Sequence, residues 1–164
     1  MSEVQTACIP SPLGNIVIRA KADHIIAVSF DVDEYEPTGE SVEVIEACKK
    51  QLQEYFDGTR TTFSLPLSPE GTGFQKEVWE AVRDIKFGDT ASYKDIALKL
   101  GKPDAVRAVG SANGQNKLLL LIPCHRIVGQ DRSLVGYAGQ LWRKQWLLEH
   151  EAKFSGKPQQ LQLF

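Results

Sequence analysis

The sequence has few residues of the kinds that hold metal ions or build disulfide frameworks. It contains three cysteines, an odd number at irregular spacing, and three histidines scattered along the chain. Neither a Cys-x-x-Cys nor a His-x-x-x-His pair occurs. Because metal sites and disulfide-rich domains need such clusters, we expect reduced thiols, no bound metal and no cofactor.

Long apolar runs are also missing. No stretch approaches the roughly 20 apolar residues that a membrane span needs. The first residues lack the basic start and the apolar centre of a signal peptide. We therefore expect no membrane partner and a protein that works in the cytoplasm.

A strong overall charge is absent as well, but the small net charge of -2 hides an asymmetry. Residues 1–70 carry 5 lysines and arginines against 12 acids, whereas residues 71–164 carry 14 against 9. A basic part beside an acidic part is typical of a polyanion-binding domain joined to one that does not bind. A chance distribution of solvated charges is the alternative.

Turn-forming residues divide the chain at the same place. The segment 67–73 contains Pro69 and Gly71 and is the best candidate for a linker. We predict an N-terminal α/β domain over 1–70, a mostly helical domain over 71–155 and a flexible tail over 156–164. The first domain is predicted to have strands at 16–18, 25–30 and 61–65, with a helix capped by Ser41 and ending near Phe56.

The helical domain is predicted to contain a helix-turn-helix. Ser92 is a suitable N-cap for a helix over 93–100, Gly101 is suited to end it, and Pro103 is suited to the first turn of the next helix. Two short helices joined by a glycine-containing turn form this motif.

The second of these helices has two different faces. At 100° per residue, Ala105, Ala108, Val109 and Ala112 fall together and are predicted to face the core. The opposite face has Arg107 among the small residues Gly110 and Ser111, so a groove wall or a backbone could approach closely. The alternative is a small-residue helix packed against a neighbouring helix.

A thiol and an imidazole lie side by side after the apolar run 118–122. Pro123 ends that run, so Cys124 and His125 follow a short buried segment. A structural cysteine packed in the core is the alternative. In the final helix, predicted over 141–153 with Leu141, Leu148 and Ala152 on its apolar face, Glu151 lies at the margin of that face and could pair with a cation or an imidazole.

Six motifs in residues 74–151 resemble those of the O6-alkylguanine-DNA alkyltransferases. They are Phe74-Gln75-x-x-Val78-Trp79, Phe87-Gly88-x-Thr90-x-Ser92-Tyr93, Arg107-Ala108-Val109-Gly110-x-Ala112, Ile122-Pro123-Cys124-His125-Arg126-Ile127, Gly136-Tyr137-x-Gly139 and Trp146-Leu147-Leu148-x-His150-Glu151. The resemblance implies a ribonuclease-H-like N-terminal domain before the helix-turn-helix domain. It also implies a single-use transfer of an alkyl group from guanine O6 in DNA to the protein's own cysteine. O4-alkylthymine is left open as a second substrate.

The resemblance also implies roles for individual residues. The reaction centre would consist of Cys124 as acceptor, His125 as its base through a water, Glu151 holding the imidazole, Tyr93 as donor to the leaving guanine, and Asn116 bracing the active-site turn. The base and alkyl pocket would be lined by Tyr93, Pro123, Ile127, Tyr137, Ala138 and Gly139. A monomer would bind the minor groove of double-stranded DNA, at the nucleoid, through Arg107, Tyr93, Lys94, Lys102, Gly110, Ser111 and Gln130, with Arg107 replacing the flipped nucleotide.

Gln140 departs from the family pattern, and a C-terminal segment lies outside the family match. Gln140 stands where the family often has a second glycine, and it could narrow the pocket mouth. Outside the family match, Gln160, Leu161, Leu163 and Phe164 resemble the short peptide by which bacterial proteins bind the DNA sliding clamp. A tail that folds back on its own domain is the alternative.

Two other functions compete with alkyl transfer. A cysteine hydrolase would also use a thiol and an imidazole, but adjacent residues rarely align them and no oxyanion-hole glycine stretch surrounds Cys124. A DNA-damage sensor on the same scaffold would lack the cysteine, so the presence of Cys124 argues against it.

Overall fold

A computed structural model of the chain describes residues 3–30, 42–131 and 133–156. The chain divides into two compact units, Met1–Glu70 with Lys117–Leu121, and Gly71–Asn116 with Ile122–Phe164. The sequence alone predicts that 117–121 belongs to the second domain, whereas in the structure this segment belongs to the first unit. Backbone hydrogen bonds from Val28 N to Lys117 O (2.9 Å) and from Leu119 N to Val28 O (3.2 Å) join this segment to the first unit. The predicted tail lies outside the described residues, apart from Gly156.

The first unit contains a three-stranded antiparallel sheet and one long helix. The strands β1 (Gln5–Ile9), β2 (Ile16–Lys21) and β3 (His24–Ser29) lie in the order β1-β2-β3. The β-branched residues of β2 are buried, as a central strand requires. Helix α1 (Glu43–Asp57) buries Val44, Ile45, Cys48, Leu52 and Tyr55 and ends at Gly58, which has a left-handed φ of 83°. The predicted cap Ser41 and the loop before it lie outside the described residues.

The strand predicted over 61–65 does not form. The side chain of Gln51 accepts a hydrogen bond from Ser64 N at 2.9 Å and donates one to Ser64 O at 3.4 Å. This helix side chain therefore takes the backbone groups that a strand partner would use. Parallel bridges of Ile25 with Leu67 and of Val28 with Leu118 replace a longer ladder.

The second unit is mostly helical. Its helices are α2 (Gly73–Arg83), α3 (Tyr93–Lys99), α4 (Val106–Gly114) and α5 (Leu141–Ser155), and the short strands β4 (Ala91–Ser92) and β5 (Ile127–Val128) pair in parallel. Trp79 of α2 donates a hydrogen bond from Nε1 to Ala112 O at 2.8 Å, which fixes the C-terminal end of α4. Among the described residues, no helix is long and apolar enough to span a membrane. No group of three or more His, Cys, Asp or Glu in that part of the chain could hold a metal ion.

Helices α3 and α4 form the predicted helix-turn-helix. Ser92 caps α3, and its hydroxyl accepts from Asp95 N while the Asp95 carboxylate accepts from Ser92 N. Helix α4 begins at Val106, later than the prediction from Pro103. Ala108 is exposed rather than buried, because the buried stripe of α4 continues through Asn113 instead.

Helix α5 also differs from its predicted apolar face. Its buried residues are Lys144, Leu147, Leu148, His150 and Glu151, whereas Leu141 is 47% exposed. Residues 144, 147, 148 and 151 share one side at helical spacing. The buried side of α5 therefore has a cation and a carboxylate on either side of two leucines.

Candidate active site

The turn with Cys124 is held by the end of α4. Cys124 is 2% exposed and begins a 3₁₀ turn, Cys124–Arg126, directly after Pro123. Asn116 donates from Nδ2 to Ile122 O at 3.1 Å and to Cys124 Sγ at 3.2 Å. Asn113 donates from Nδ2 to Cys124 O at 3.4 Å. Asn113, in the last turn of the helix with Arg107, thus binds the Cys124 backbone, and Asn116, just beyond that helix, contacts the sulfur.

The Cys124 thiol is protonated at neutral pH. Burial raises its pKa to about 11, although the hydrogen bond from Asn116 and the positive charge of Lys144 act in the opposite direction. Only a thiolate is strongly nucleophilic. The thiol therefore needs a base at the moment of reaction.

His125 and Glu151 form a buried pair whose geometry determines the imidazole tautomer. Nε2 of His125 lies 2.7 Å from Oε2 of Glu151, and both side chains are buried. Burial alone would raise the pKa of Glu151, but His125 and Arg126 hold it well below its usual range. Because the carboxylate is ionised, Nε2 carries the proton and donates a hydrogen bond to Glu151.

The second nitrogen of His125 is available as a proton acceptor. Nδ1 is buried and has no hydrogen-bond partner among the described residues, so it forms no direct bond with Cys124 Sγ. Burial lowers the pKa of His125, although Glu151 acts to raise it. The imidazole is therefore neutral at pH 7, with a free lone pair beside the thiol turn.

Arg126 completes this cluster, and the motif resemblance implies no role for it. It donates to Glu151 from Nε (2.7 Å to Oε1) and Nη2 (3.0 Å to Oε2), and from Nη1 to Ile85 O at 2.7 Å. Such a bidentate pair with a carboxylate is strong and well oriented. The sequence signal for this role was the position of Arg126 directly after His125. An arginine that is buried beside an imidazole needs a carboxylate as its counter-charge.

Two tyrosines lie near the thiol. Burial and the neighbouring Cys124 raise the pKa of Tyr93, so its hydroxyl stays protonated as a hydrogen-bond donor. The Tyr137 ring meets the His125 ring edge to face at 6.4 Å. Its buried hydroxyl has no partner among the described residues. A methyl group built on Gly139 would lie 2.5 Å from the Tyr137 ring, so this position requires glycine.

The remaining predicted pocket residues divide by exposure. Pro123 and Ile127 are buried, whereas Ala138 is exposed. Gln140 precedes α5 with a φ of 79° and a ψ of 146°, a backbone conformation that costs a residue other than glycine about 1–3 kcal/mol. Trp142 donates from Nε1 to Gln140 Oε1 at 2.9 Å. Gln140 therefore adopts a backbone conformation that favours glycine, the residue that the family often has at this position.

Most residues predicted to contact DNA are exposed. Arg107 and Ser111 on α4, Lys94 on α3, and Gln130 are exposed, while Gly110 is half-buried. Lys102 is paired with Glu77 at 3.1 Å and lies over the Phe74 ring. Because exposed ion pairs are weak, a phosphate could replace Glu77 as the partner of Lys102.

A methyl group built on Gly110 would lie 3.7 Å from the Tyr93 ring. This is an ordinary contact distance, so packing within the unit does not require glycine at this position. A close approach by DNA remains the reason proposed from the sequence.

Both units match families of known proteins. Residues 73–153 match the family described as 6-O-methylguanine DNA methyltransferase, DNA binding domain, and residues 4–69 match its ribonuclease-like domain. The chain is 39% identical over 148 residues to the methylated-DNA–protein-cysteine methyltransferase of Haemophilus influenzae, covering 87% of this chain and 83% of the relative.

Solved structures give the same result for the fold. The O6-methylguanine methyltransferase of Mycobacterium tuberculosis matches with a TM-score of 0.83 at 35% identity, covering 96% of this chain and 97% of that one. Its structure in complex with DNA matches with a TM-score of 0.82 at 35% identity, covering 92% and 93%. The predicted fold class, a ribonuclease-like N-terminal domain followed by a helix-turn-helix domain, is confirmed.

Proposed function

The chain belongs to the 6-O-methylguanine-DNA methyltransferase family, and we propose that it repairs DNA by transferring an alkyl group from guanine O6 to its own Cys124. It acts as a single-turnover methylated-DNA–protein-cysteine S-methyltransferase. One observation carries this proposal. A buried thiol lies in the same turn as a neutral imidazole whose Nε2 is occupied by a carboxylate and whose Nδ1 is free.

The transfer proceeds by displacement at the alkyl carbon. His125 Nδ1 accepts the thiol proton through a bridging water, and Glu151 stabilises the imidazolium that forms. The sulfur of Cys124 forms a bond to the alkyl carbon as the bond from that carbon to guanine O6 breaks. The departing electron pair stays on the guanine, which receives a hydrogen bond from the Tyr93 hydroxyl and takes up a proton. The products are an S-alkylcysteine and an unmodified guanine.

Each molecule reacts once under this proposal. The thioether has no ionisable proton, and a sulfur bound to two carbons is a poor leaving group at neutral pH. His125 acts as a base toward a thiol proton, which the alkylated cysteine no longer has. Repair is therefore stoichiometric, with one alkyl group removed per chain.

The protein binds DNA through the helix-turn-helix, and the mode of binding is part of the proposal. The alkylated base must leave the duplex to reach a buried sulfur, at a cost of a few kcal/mol. Exposed Arg107 on α4 supports insertion into the space that the base leaves, and Ser111 and Gly110 allow close approach in the minor groove. Exposed Lys94, Lys102 and Gln130 support contacts with the DNA backbone.

We propose a monomer that acts in the cytoplasm at the nucleoid, where its DNA substrate lies. The second unit of one chain holds the thiol, imidazole, carboxylate and both tyrosines. A partner subunit is therefore not needed to complete the reaction centre.

The intact mass of the protein tests alkyl transfer. After incubation with duplex DNA containing O6-methylguanine, the mass should rise by one methyl group in place of a hydrogen. Peptide mapping should place that methyl on Cys124. A matched duplex with unmodified guanine should leave the mass unchanged. Tight binding to the methylated duplex without a mass change would instead identify a damage sensor.

We further propose that residues 160–164 bind a bacterial sliding clamp. The support is the sequence Gln160-Leu161-Gln162-Leu163-Phe164, which has two leucines and a phenylalanine suited to an apolar groove on a partner. Deleting residues 158–164 should abolish retention on immobilised clamp. The methyl-transfer rate on short duplexes should not change. Equal retention of the full and shortened chains would contradict clamp binding.

A further inference from the structure

Lys144 is a buried cation close to the reaction centre that the sequence analysis did not select. Its relative exposure is 0%, which is rare for a lysine unless its ammonium is paired. Nζ donates hydrogen bonds to Val135 O at 2.5 Å and to Gly136 O at 3.0 Å. Two backbone carbonyls therefore provide the compensation that burial of the charge requires.

These two carbonyls belong to the segment Val135–Tyr137, which includes the predicted pocket residue Tyr137 and is here named the wall. A methyl group built on Gly136 would lie 3.6 Å from the Tyr93 hydroxyl oxygen. The next residue, Tyr137, contacts the His125 ring with its own ring. Lys144 thus joins helix α5 to backbone that lies between the proposed proton donor and the proposed base.

The charge of Lys144 also acts on the thiol. The pKa of Lys144 falls to about 8 because of burial, and the neighbouring Cys124 opposes that fall. The reciprocal effect of Lys144 on Cys124 favours the thiolate. Other ionisable groups of this cluster are Tyr93, His125, Arg126, Tyr137, Arg143 and Glu151. Arg126 is paired with Glu151, and Lys144 is the cation whose charge acts on Cys124.

We propose that Lys144 is a positioning residue for the alkyl transfer, which fixes the wall through its two hydrogen bonds and stabilises the Cys124 thiolate through its charge. This inference rests on the proposed function. Under this proposal, helix α5 contributes two side chains of opposite charge to the reaction centre. Glu151 at one end of the helix side orients the base, and Lys144 two turns earlier favours the nucleophile.

Three substitutions test the proposal. In Lys144→Met the rate of methyl transfer at saturating DNA should fall at least tenfold, with unchanged DNA affinity. In Lys144→Gln, which keeps a hydrogen-bond donor but not the charge, Cys124 should react about tenfold more slowly with iodoacetamide at pH of about 7, where Lys144 of the unmodified chain is charged, since a lost neighbouring charge raises a thiol pKa by about one unit or more. Lys144→Arg keeps the charge and the donors and should restore much of both rates.

The iodoacetamide reaction separates this role from a merely structural one. Lys144→Met loses both the charge and the hydrogen bonds that fix the wall, and a loosened wall would expose the thiol and speed its alkylation. Lys144→Gln keeps a donor to the wall, so the lost charge alone should slow its alkylation. Lys153→Met is the matched control, because Lys153 is exposed on the same helix, and it should behave as the unmodified chain. If Lys144→Met fails to give a cooperative melting curve, Lys144→Gln takes its place in the methyl-transfer assay. Unchanged methyl transfer in Lys144→Met, or alkylation of Lys144→Gln as fast as that of the unmodified chain, would overturn the proposal.

The assays also distinguish failure of this inference from failure of the proposed function. The unmodified chain must first gain one methyl group from O6-methylguanine DNA, which tests the function alone. The iodoacetamide rate requires no DNA, so it reports the charge effect even if transfer is not observed.

Discussion

Cys124→Ser should gain no methyl group from O6-methylguanine DNA under conditions in which the unmodified chain is fully methylated. Attack at a saturated carbon requires a strong nucleophile such as a thiolate, and a serine hydroxyl is far less acidic and less nucleophilic than a cysteine thiol. The variant should still fold. Serine is nearly isosteric with cysteine, and Asn116, whose Nδ2 lies 3.2 Å from Sγ, can donate to the new oxygen. We expect stability within about 1 kcal/mol of the unmodified chain.

Two measurements separate lost chemistry from lost structure in this variant. Its affinity for the methylated duplex should match that of the unmodified chain, because Arg107 and Ser111 are exposed on α4 and are untouched. Cys8→Ser is the matched control, since Cys8 is a free cysteine of intermediate exposure, and it should be methylated at the normal rate. Methyl uptake by Cys124→Ser at Cys8 or Cys48 would contradict the assignment of the acceptor.

The order of helices and the turn signals of the second unit were predictable from local chemistry. Ser92 caps α3 and Gly101 takes a positive φ of 71°, as their side chains and conformational freedom indicate. The first unit was less predictable. Residues 61–65 have strand-forming composition, but Gln51 of α1 binds the Ser64 backbone. A long-range side-chain contact of this kind leaves no periodic signal.

The residues of the proposed reaction centre follow from motif resemblance, whereas their electrostatics required the structure. Arg126 and Lys144 are cations that a sequence pattern treats as solvent-exposed, yet both are buried. Helical spacing could have revealed Lys144, because 144, 147, 148 and 151 share one side of α5. The partners of both cations are backbone carbonyls and one carboxylate. Only the folded chain shows which carbonyls lie within reach.

Glu151→Gln should lower the free energy of unfolding by about 3–5 kcal/mol, because it leaves buried Arg126 without its counter-charge. The same change should slow methyl transfer by about 10²–10⁴-fold, the range of a general-base contribution. A glutamine oxygen can still accept a hydrogen bond from His125 Nε2, but it lacks the negative charge that stabilises an imidazolium. Chemical denaturation and single-turnover mass measurements check the two effects. Glu149→Gln is the matched control on α5 and should change stability by no more than about 0.5 kcal/mol.

The pH dependence of the free energy of unfolding tests whether Glu151 is ionised in the folded chain. The folded-state pKa of Glu151 is held below its usual range by His125 and Arg126, against the effect of burial. Such a group stabilises the fold above its unfolded pKa of about 4.3, and the contribution is lost as pH falls from there through the folded pKa. The stability gap between the unmodified chain and Glu151→Gln should therefore be constant near neutrality and narrow below about pH 4. A gap that widens on acidification would contradict an ionised Glu151.

A double substitution separates the structural role of this cluster from its chemical role. In Arg126→Leu with Glu151→Leu the uncompensated charge is gone, and replacing a buried ion pair by apolar side chains is often neutral or stabilising. Stability should therefore recover most of what Glu151→Gln loses. Methyl transfer should stay as slow as in Glu151→Gln, since His125 Nε2 then has no acceptor and its imidazolium no counter-charge. Recovery of both properties together would mean that Glu151 serves only the fold.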